Sequence, residues 1–125
     1  MNGRASKVKL DSAPQGRVGA ATMSERLLAP EDCRTMPEVR AAIDALDADL
    51  VALLARRFAY MRAAARIKPS RDAVRDEARK AEVIANAAAL AETAGVPREV
   101  IATLWEHLVE GSIAYEFGEW DRARG

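Results

Sequence analysis

The longest uninterrupted pattern in the chain runs from Glu38 to Ile67, where no glycine or proline occurs. Apolar residues recur there at Val39, Ile43, Leu46, Leu50, Leu53, Leu54, Phe58 and Met61. The steps are mostly three and four, the spacing of one face of an α-helix. Thr35 and Glu38 have capping-box spacing, and Pro37 falls in the first turn, where its missing N–H costs little. A helix beginning near Thr35 is therefore predicted. Pro69 ends it, because the residue before a proline is pushed out of helical geometry. About thirty residues at ~1.5 Å each make a rod of ~45 Å. The rest of so short a chain cannot cover such a rod, so a partner helix is expected.

The polar stretch 68–74 reads as a loop. A second helix is expected from about Val74 or Asp76 to Ala94, with Gly95 as its stop. Pro97 opens a third that runs to about Trp120. The fold class is all-α, with one long, one medium and one long helix. Residues 1–28 are rich in Gly, Ser, Ala and isolated charges and have no hydrophobic period. They read as a disordered N-terminal tail. "APEDC" (29–33) leads into a helical domain over 29–122, and 123–125 form the C-terminal end.

Placing the residues at 100° each turns the pattern into faces. Measured from Arg40, the stripe Val39, Ile43, Leu46, Leu50, Leu53, Met61 and Ala64 falls between roughly −60° and −140°. Arg57 lies near −100°, at its centre, whereas the adjacent Arg56 lies near 160°, on the solvent side. A guanidinium on an apolar face is costly without an anion, so something negative should meet Arg57. Lys68 follows on nearly the same azimuth. Arg40 is ~100° away from Arg57 and far along the rod. A pocket shared by the two within one chain is not expected; one shared across a dimer is compatible with the pattern.

In "VRDEARK" (74–80), Asp76 and Arg79 share a face in the first turn of the second helix. There the positive end of the helix dipole favours an anion. On the third helix the apolar stripe is Ile101, Leu104, Leu108 and Tyr115, with Trp105 at its flank. Gly111 and Ser112 interrupt it, and Glu116 lies toward the Trp105 edge. Two readings stand side by side. Small residues and a carboxyl on an inward face leave room for a ligand; alternatively, Gly111 and Ser112 let helices pack closely and Glu116 pairs with Arg57.

Composition narrows the chemistry. The chain has 125 residues and a formal net charge of 0, which argues against nucleic acid or an acidic membrane surface as the main partner. A three-helix chain of this size has a thin core, and association is a natural remedy. The single cysteine, Cys33, suits a reducing compartment and reads as an inert thiol. No window approaches the ~18 apolar residues of a membrane span, and no apolar segment of a secretory signal follows the N-terminal basic residues. The cytoplasm is the default. The single histidine, His107, has no partner at metal-ligand spacing and reads as a surface or structural residue. No phosphate-binding glycine loop and no nucleophile elbow occur. Any chemistry must run on Arg, Lys, Asp, Ser and Glu, which can bind and polarise a small polyanion.

The segment "VRAAIDALDADLVALLARRFAYMRAAARIK" (39–68) resembles the first helix of the all-helical chorismate mutase family. The residues that carry the likeness are Arg40, Ile43–Asp44, Leu46–Asp47, Leu53–Leu54, Arg57 and Lys68. "VRDEAR" (74–79) and Ser112 with Glu116 are similar to the mutases proper, whereas "PEDC" and "RIKPS" are similar to the isochorismate pyruvate lyases of the same fold. The resemblance covers about residues 30–122. It implies an intertwined helical homodimer with two active sites, spanned by the long first helix. It also implies that Arg57, with Arg40 from the partner protomer, clamps the two carboxylates of chorismate or isochorismate. Lys68 and Glu116 would flank the ether oxygen, Asp76 and Arg79 would lie near the ring hydroxyl and a carboxylate, and Ser112 would line the pocket. Lys68, Glu116 and Arg57 are the catalytic candidates. The implied reaction is a one-substrate pericyclic rearrangement that uses no metal and no cofactor. Two positions depart from the pattern. Lys80 stands where mutases often have glutamate, and Glu116 where many relatives have glutamine. A non-catalytic dimerisation module is the reading from another class. It accounts for the long helix but not for a centred Arg57.

Overall fold

The computed structural model describes Thr22 and residues 27–125; the tail expected over 1–28 lies outside the described residues apart from Thr22, Leu27 and Leu28. The described residues form three helices and no strand. These are α1 (Met36–Ile67), α2 (Glu77–Ala94) and α3 (Arg98–Arg124), with single 3-10 turns at Pro30–Asp32 and Arg71–Val74. The chain divides within α1 into two units, one ending at Leu53 and one from Leu54 to Gly125.

In the first unit, α1 starts on the expected capping box. Thr35 Oγ1 accepts from the Glu38 N–H at 3.3 Å, and Glu38 Oε1 accepts from the N–H groups of Arg34 and Thr35 at 2.8 and 3.0 Å. Four N–H groups are unpaired at any helix start, so these bonds satisfy donors that would otherwise need water. They also hold the Glu38 carboxyl below its ordinary range. The apolar stripe Ile43, Leu46, Leu50 and Leu53 is about half exposed, at 48–62%.

In the second unit, α2 packs on α3, and α3 on the Arg71–Val74 turn. The core is built on Val74, Val109 and Ile113, against which Val83, Ile84, Trp105, Phe117 and Trp120 pack. On α2 the buried residues are Ala87, Ala88 and Ala91, so close approach is achieved with methyl groups. The part of α1 in this unit meets α3 through an edge-on contact of Phe58 with Tyr115, 5.0 Å between ring centres, and an Arg62–Tyr115 hydroxyl bond of 2.9 Å.

The helix ends follow their local chemistry. Asp76 caps α2 by accepting from the Arg79 N–H. Gly95, at φ 78°, closes it, as Val96 N–H bonds Ala91 O at 2.8 Å and Gly95 N–H bonds Glu92 O at 3.2 Å. This is a Schellman stop, and it requires the left-handed backbone that glycine adopts without penalty. α3 runs one turn past the expected end at Trp120, to Arg124.

One expectation about α3 is corrected. The face it buries is Val109, Ser112, Ile113 and Glu116, not Ile101, Leu104, Leu108 and Tyr115; Leu104 is 54% exposed. The buried face is rotated toward the Trp105 side by very roughly 90° at 100° per residue. Gly111 is exposed, and a Cβ there would meet nothing within 4 Å. It is therefore not a close-packing device.

Candidate active site

The buried face of α3, the end of α1, the Arg71–Val74 turn and the start of α2 enclose a cavity of about 340 Å³ within the second unit. Its lining includes Arg57, Lys68, Asp76, Arg79, Ser112 and Glu116. Six of the seven residues proposed from the sequence thus meet at one cavity. Arg40 is exposed, belongs to the first unit and is not part of the lining. Met61, Val83, Val109 and Ile113 give the cavity an apolar wall, which strengthens charge interactions by excluding water.

Arg57 is half-buried and Arg56 exposed, as their azimuths require. Arg57 Nη1 donates to Ser112 Oγ at 2.9 Å, and Ser112 Oγ donates in turn to Leu108 O at 2.7 Å. The hydroxyl's proton is therefore committed to the helix, and only its lone pairs face the guanidinium. Burial, and then the nearby positive charge of Arg79, push the Arg57 pKa down. The Arg57–Glu116 pair considered from the sequence is not formed.

Glu116 meets Lys68 instead. Lys68 Nζ lies 2.7 Å from Glu116 Oε2, and the Glu116 side chain is only 5% exposed. That oxygen accepts no well-aligned hydrogen bond, so the contact is ionic rather than directional. Lys68 Nζ also reaches Val74 O at 3.4 Å.

The other lining cations are matched by carboxylates. Arg79 Nη1 pairs with Glu82 at 2.7 Å. Lys80, which the sequence marked only as a departure, lines the cavity and is held by Glu106 at 2.9 Å and Glu110 at 2.7 Å. Arg75 binds Glu110 through both terminal nitrogens. Arg75 and Lys80 together hold the Glu110 carboxyl down at about 2. Arg57 is thus the one lining cation, among the described residues, without a carboxylate partner. No signal in the sequence pointed to Glu106 or Glu110 as the groups that hold Lys80, because ion-pair partners across helices depend on rotation and register.

The cavity thus joins an apolar wall to a guanidinium without a carboxylate partner and to the Lys68–Glu116 ion pair. Residues 39–117 match the chorismate mutase type II family, and the chain belongs to that family of enzymes acting on chorismate-type substrates. It is 34% identical, over 96 residues, to an isochorismate pyruvate lyase of Pseudomonas aeruginosa, a match that covers 77% of this chain and 95% of the relative.

Proposed function

We propose that this enzyme is a chorismate mutase, converting chorismate to prephenate. The observation that carries the reading is Arg57, a half-buried guanidinium in the cavity with a neutral hydroxyl, not a carboxylate, as its hydrogen-bond partner. A substrate carboxylate completes it. The reaction breaks one C–O bond and forms one C–C bond in a single substrate. It needs the substrate held in its compact conformer, an orientation effect, and negative charge stabilised on the ether oxygen as the C–O bond breaks. Lys68, set beside that oxygen, supplies the charge from the cavity wall. Glu116 assists as a hydrogen-bond donor only when it carries a proton. Asp76 and Arg79 lie toward the ring hydroxyl and a carboxylate, and Ser112 keeps Arg57 aimed.

The exposed stripe Ile43, Leu46, Leu50 and Leu53 supports association with a second copy, which would bring Arg40 of one protomer to the site of its partner as the second carboxylate clamp. The lyase reading, isochorismate to salicylate and pyruvate, is the alternative. It is favoured by the relative of that activity and by "PEDC" and "RIKPS". Ser112 and the Asp76–Arg79 pair favour the mutase. Incubating the purified protein separately with each substrate decides. Prephenate from chorismate is expected; salicylate from isochorismate without prephenate would transfer the assignment to the lyase, and no consumption of either would remove both.

A further inference from the structure

We propose that Arg124 is a positioning residue for Lys68, a role that rests on the reading of Lys68 as the group facing the reacting oxygen. The C-terminal end of α1 has no glycine stop. It leaves through Lys68 and Pro69, so its last carbonyls lack the local bonds that usually satisfy them. Arg124, on the last turn of α3, supplies them. Its guanidinium donates to Ala65 O at 3.0 Å, Arg66 O at 3.3 Å and Lys68 O at 3.1 Å. Its guanidinium carbon lies over the Trp120 ring, 4.2 Å from the centre, a second contact that holds the side chain in place.

One side chain therefore holds the backbone of Lys68 itself, and it does so from the helix that carries Glu116. The two charged groups of the ionic contact at 2.7 Å sit on different helices. Arg124 bridges those helices directly behind the lysine. A guanidinium suits this task because its planar donors reach several carbonyls at once, which an ammonium cannot do in a fixed geometry. A second tether works in the same direction. Arg71, just after Lys68, binds Asp121 through two bonds of 2.8 and 3.2 Å and lies over Phe117 at 4.5 Å. The segment leaving Lys68 is thus pinned to the last turns of α3, and Arg124 is the pin that touches the lysine's own peptide. A misplacement of about 1 Å in a group that stabilises charge costs up to ~100-fold in rate.

The test compares Arg124→Ala with Arg122→Ala, whose guanidinium pairs with Glu119 one turn away, and places Arg124→Ala also in a Lys68→Ala background. Loss of the clamp is expected to lower kcat by about 10- to 100-fold with KM changed by less than about threefold, since the carboxylate clamp on Arg57 is untouched. In the Lys68→Ala background the same change is expected to alter kcat by less than about twofold, because the residue acts through the lysine. Amide hydrogen exchange over residues 70–74 is expected to speed up at least about tenfold in Arg124→Ala and to stay unchanged in Arg122→Ala. Arg124→Lys, which keeps charge and stem, is expected to show the same changes at smaller size, and it serves if the alanine variant fails to fold. Equal losses in both backgrounds, or unchanged exchange in the Arg124 variants, overturn the proposal. If the unmodified protein converts neither substrate, the functional reading fails, and the exchange measurement alone then decides whether the clamp exists.

Discussion

Arg57 was legible because its placement needs only the helical angle. At the centre of an apolar stripe, a charged group demands an anion. Arg57→Leu is expected to lower turnover at least about 100-fold, the scale for removing one charge-stabilising group. It should leave the melting temperature unchanged or raised, because the variant removes a half-buried cation that has no carboxylate partner. A dimerisation module would show the second effect without having any turnover to lose, and intact turnover would dismiss the proposed role. Lys68 and Glu116 were legible as residues but not as a pair. Glu116→Gln keeps the shape of the side chain and always carries donor hydrogens, so it is expected to keep or raise turnover; a loss of about tenfold or more would show that the carboxylate itself is needed. Spacing put Asp76 and Arg79 on one face and the family resemblance assigned them to the site, but their local partners were not foreseen. The choice of Glu82 or a cap N–H is settled by rotamers within one turn, which residue spacing does not encode.

Helix boundaries read well wherever a backbone device marks them. The capping box at Thr35, the proline at 69 and the glycine at 95 each act within four residues, so the sequence carries the whole cause. Gly95→Ala is expected to destabilise by about 1–2 kcal/mol, the cost of the left-handed conformation for a residue with a Cβ. No neighbouring atom adds to it, since nothing lies within 4 Å of the new Cβ; an unchanged denaturation midpoint would contradict this account. The buried face of α3 was misread for a different reason. Leucines at 104 and 108 mark a face that is apolar, but which apolar face packs within one chain depends on the neighbouring helices. The same cross-helix dependence governs Glu110. Its carboxyl titrates at about 2, below the ordinary 4.5, because Arg75 and Lys80 bind its charged form. A lowered acid contributes stability that is complete above the unfolded value and is lost as pH falls through the folded one. Between pH 4.5 and about 2 the protein should therefore lose stability that Glu110→Gln lacks at every pH. Parallel acid-unfolding curves for the two would refute it.

At the scale of the whole molecule, the described residues bury few large side chains and leave α1's leucines half exposed. The long rod was evident from periodicity, and the expectation of a partner helix comes from the same pattern. What covers the rod was not evident, because an apolar stripe does not name its complement. Association of two copies is expected to appear as a dimer mass in sedimentation, with activity falling on dilution if Arg40 comes from the partner protomer. Leu50→Glu, on the exposed stripe, should shift the population to monomer and lower activity with it. A monomer with undiminished activity would defeat the two-chain site.

The alanines that bring α2 against α3 have a practical consequence for mapping this protein. Ala87, Ala88 and Ala91 are buried, and among the described residues no large side chain is completely enclosed. Truncation to alanine, the usual way to find a core, is silent at positions that already are alanine. The sensitive direction here is growth. Each added methylene must push two helices apart, at about 1–3 kcal/mol per overpacked site. A scan that enlarges side chains should therefore draw the α2–α3 seam as a sharp line of intolerance, where a scan that shrinks them would leave it blank.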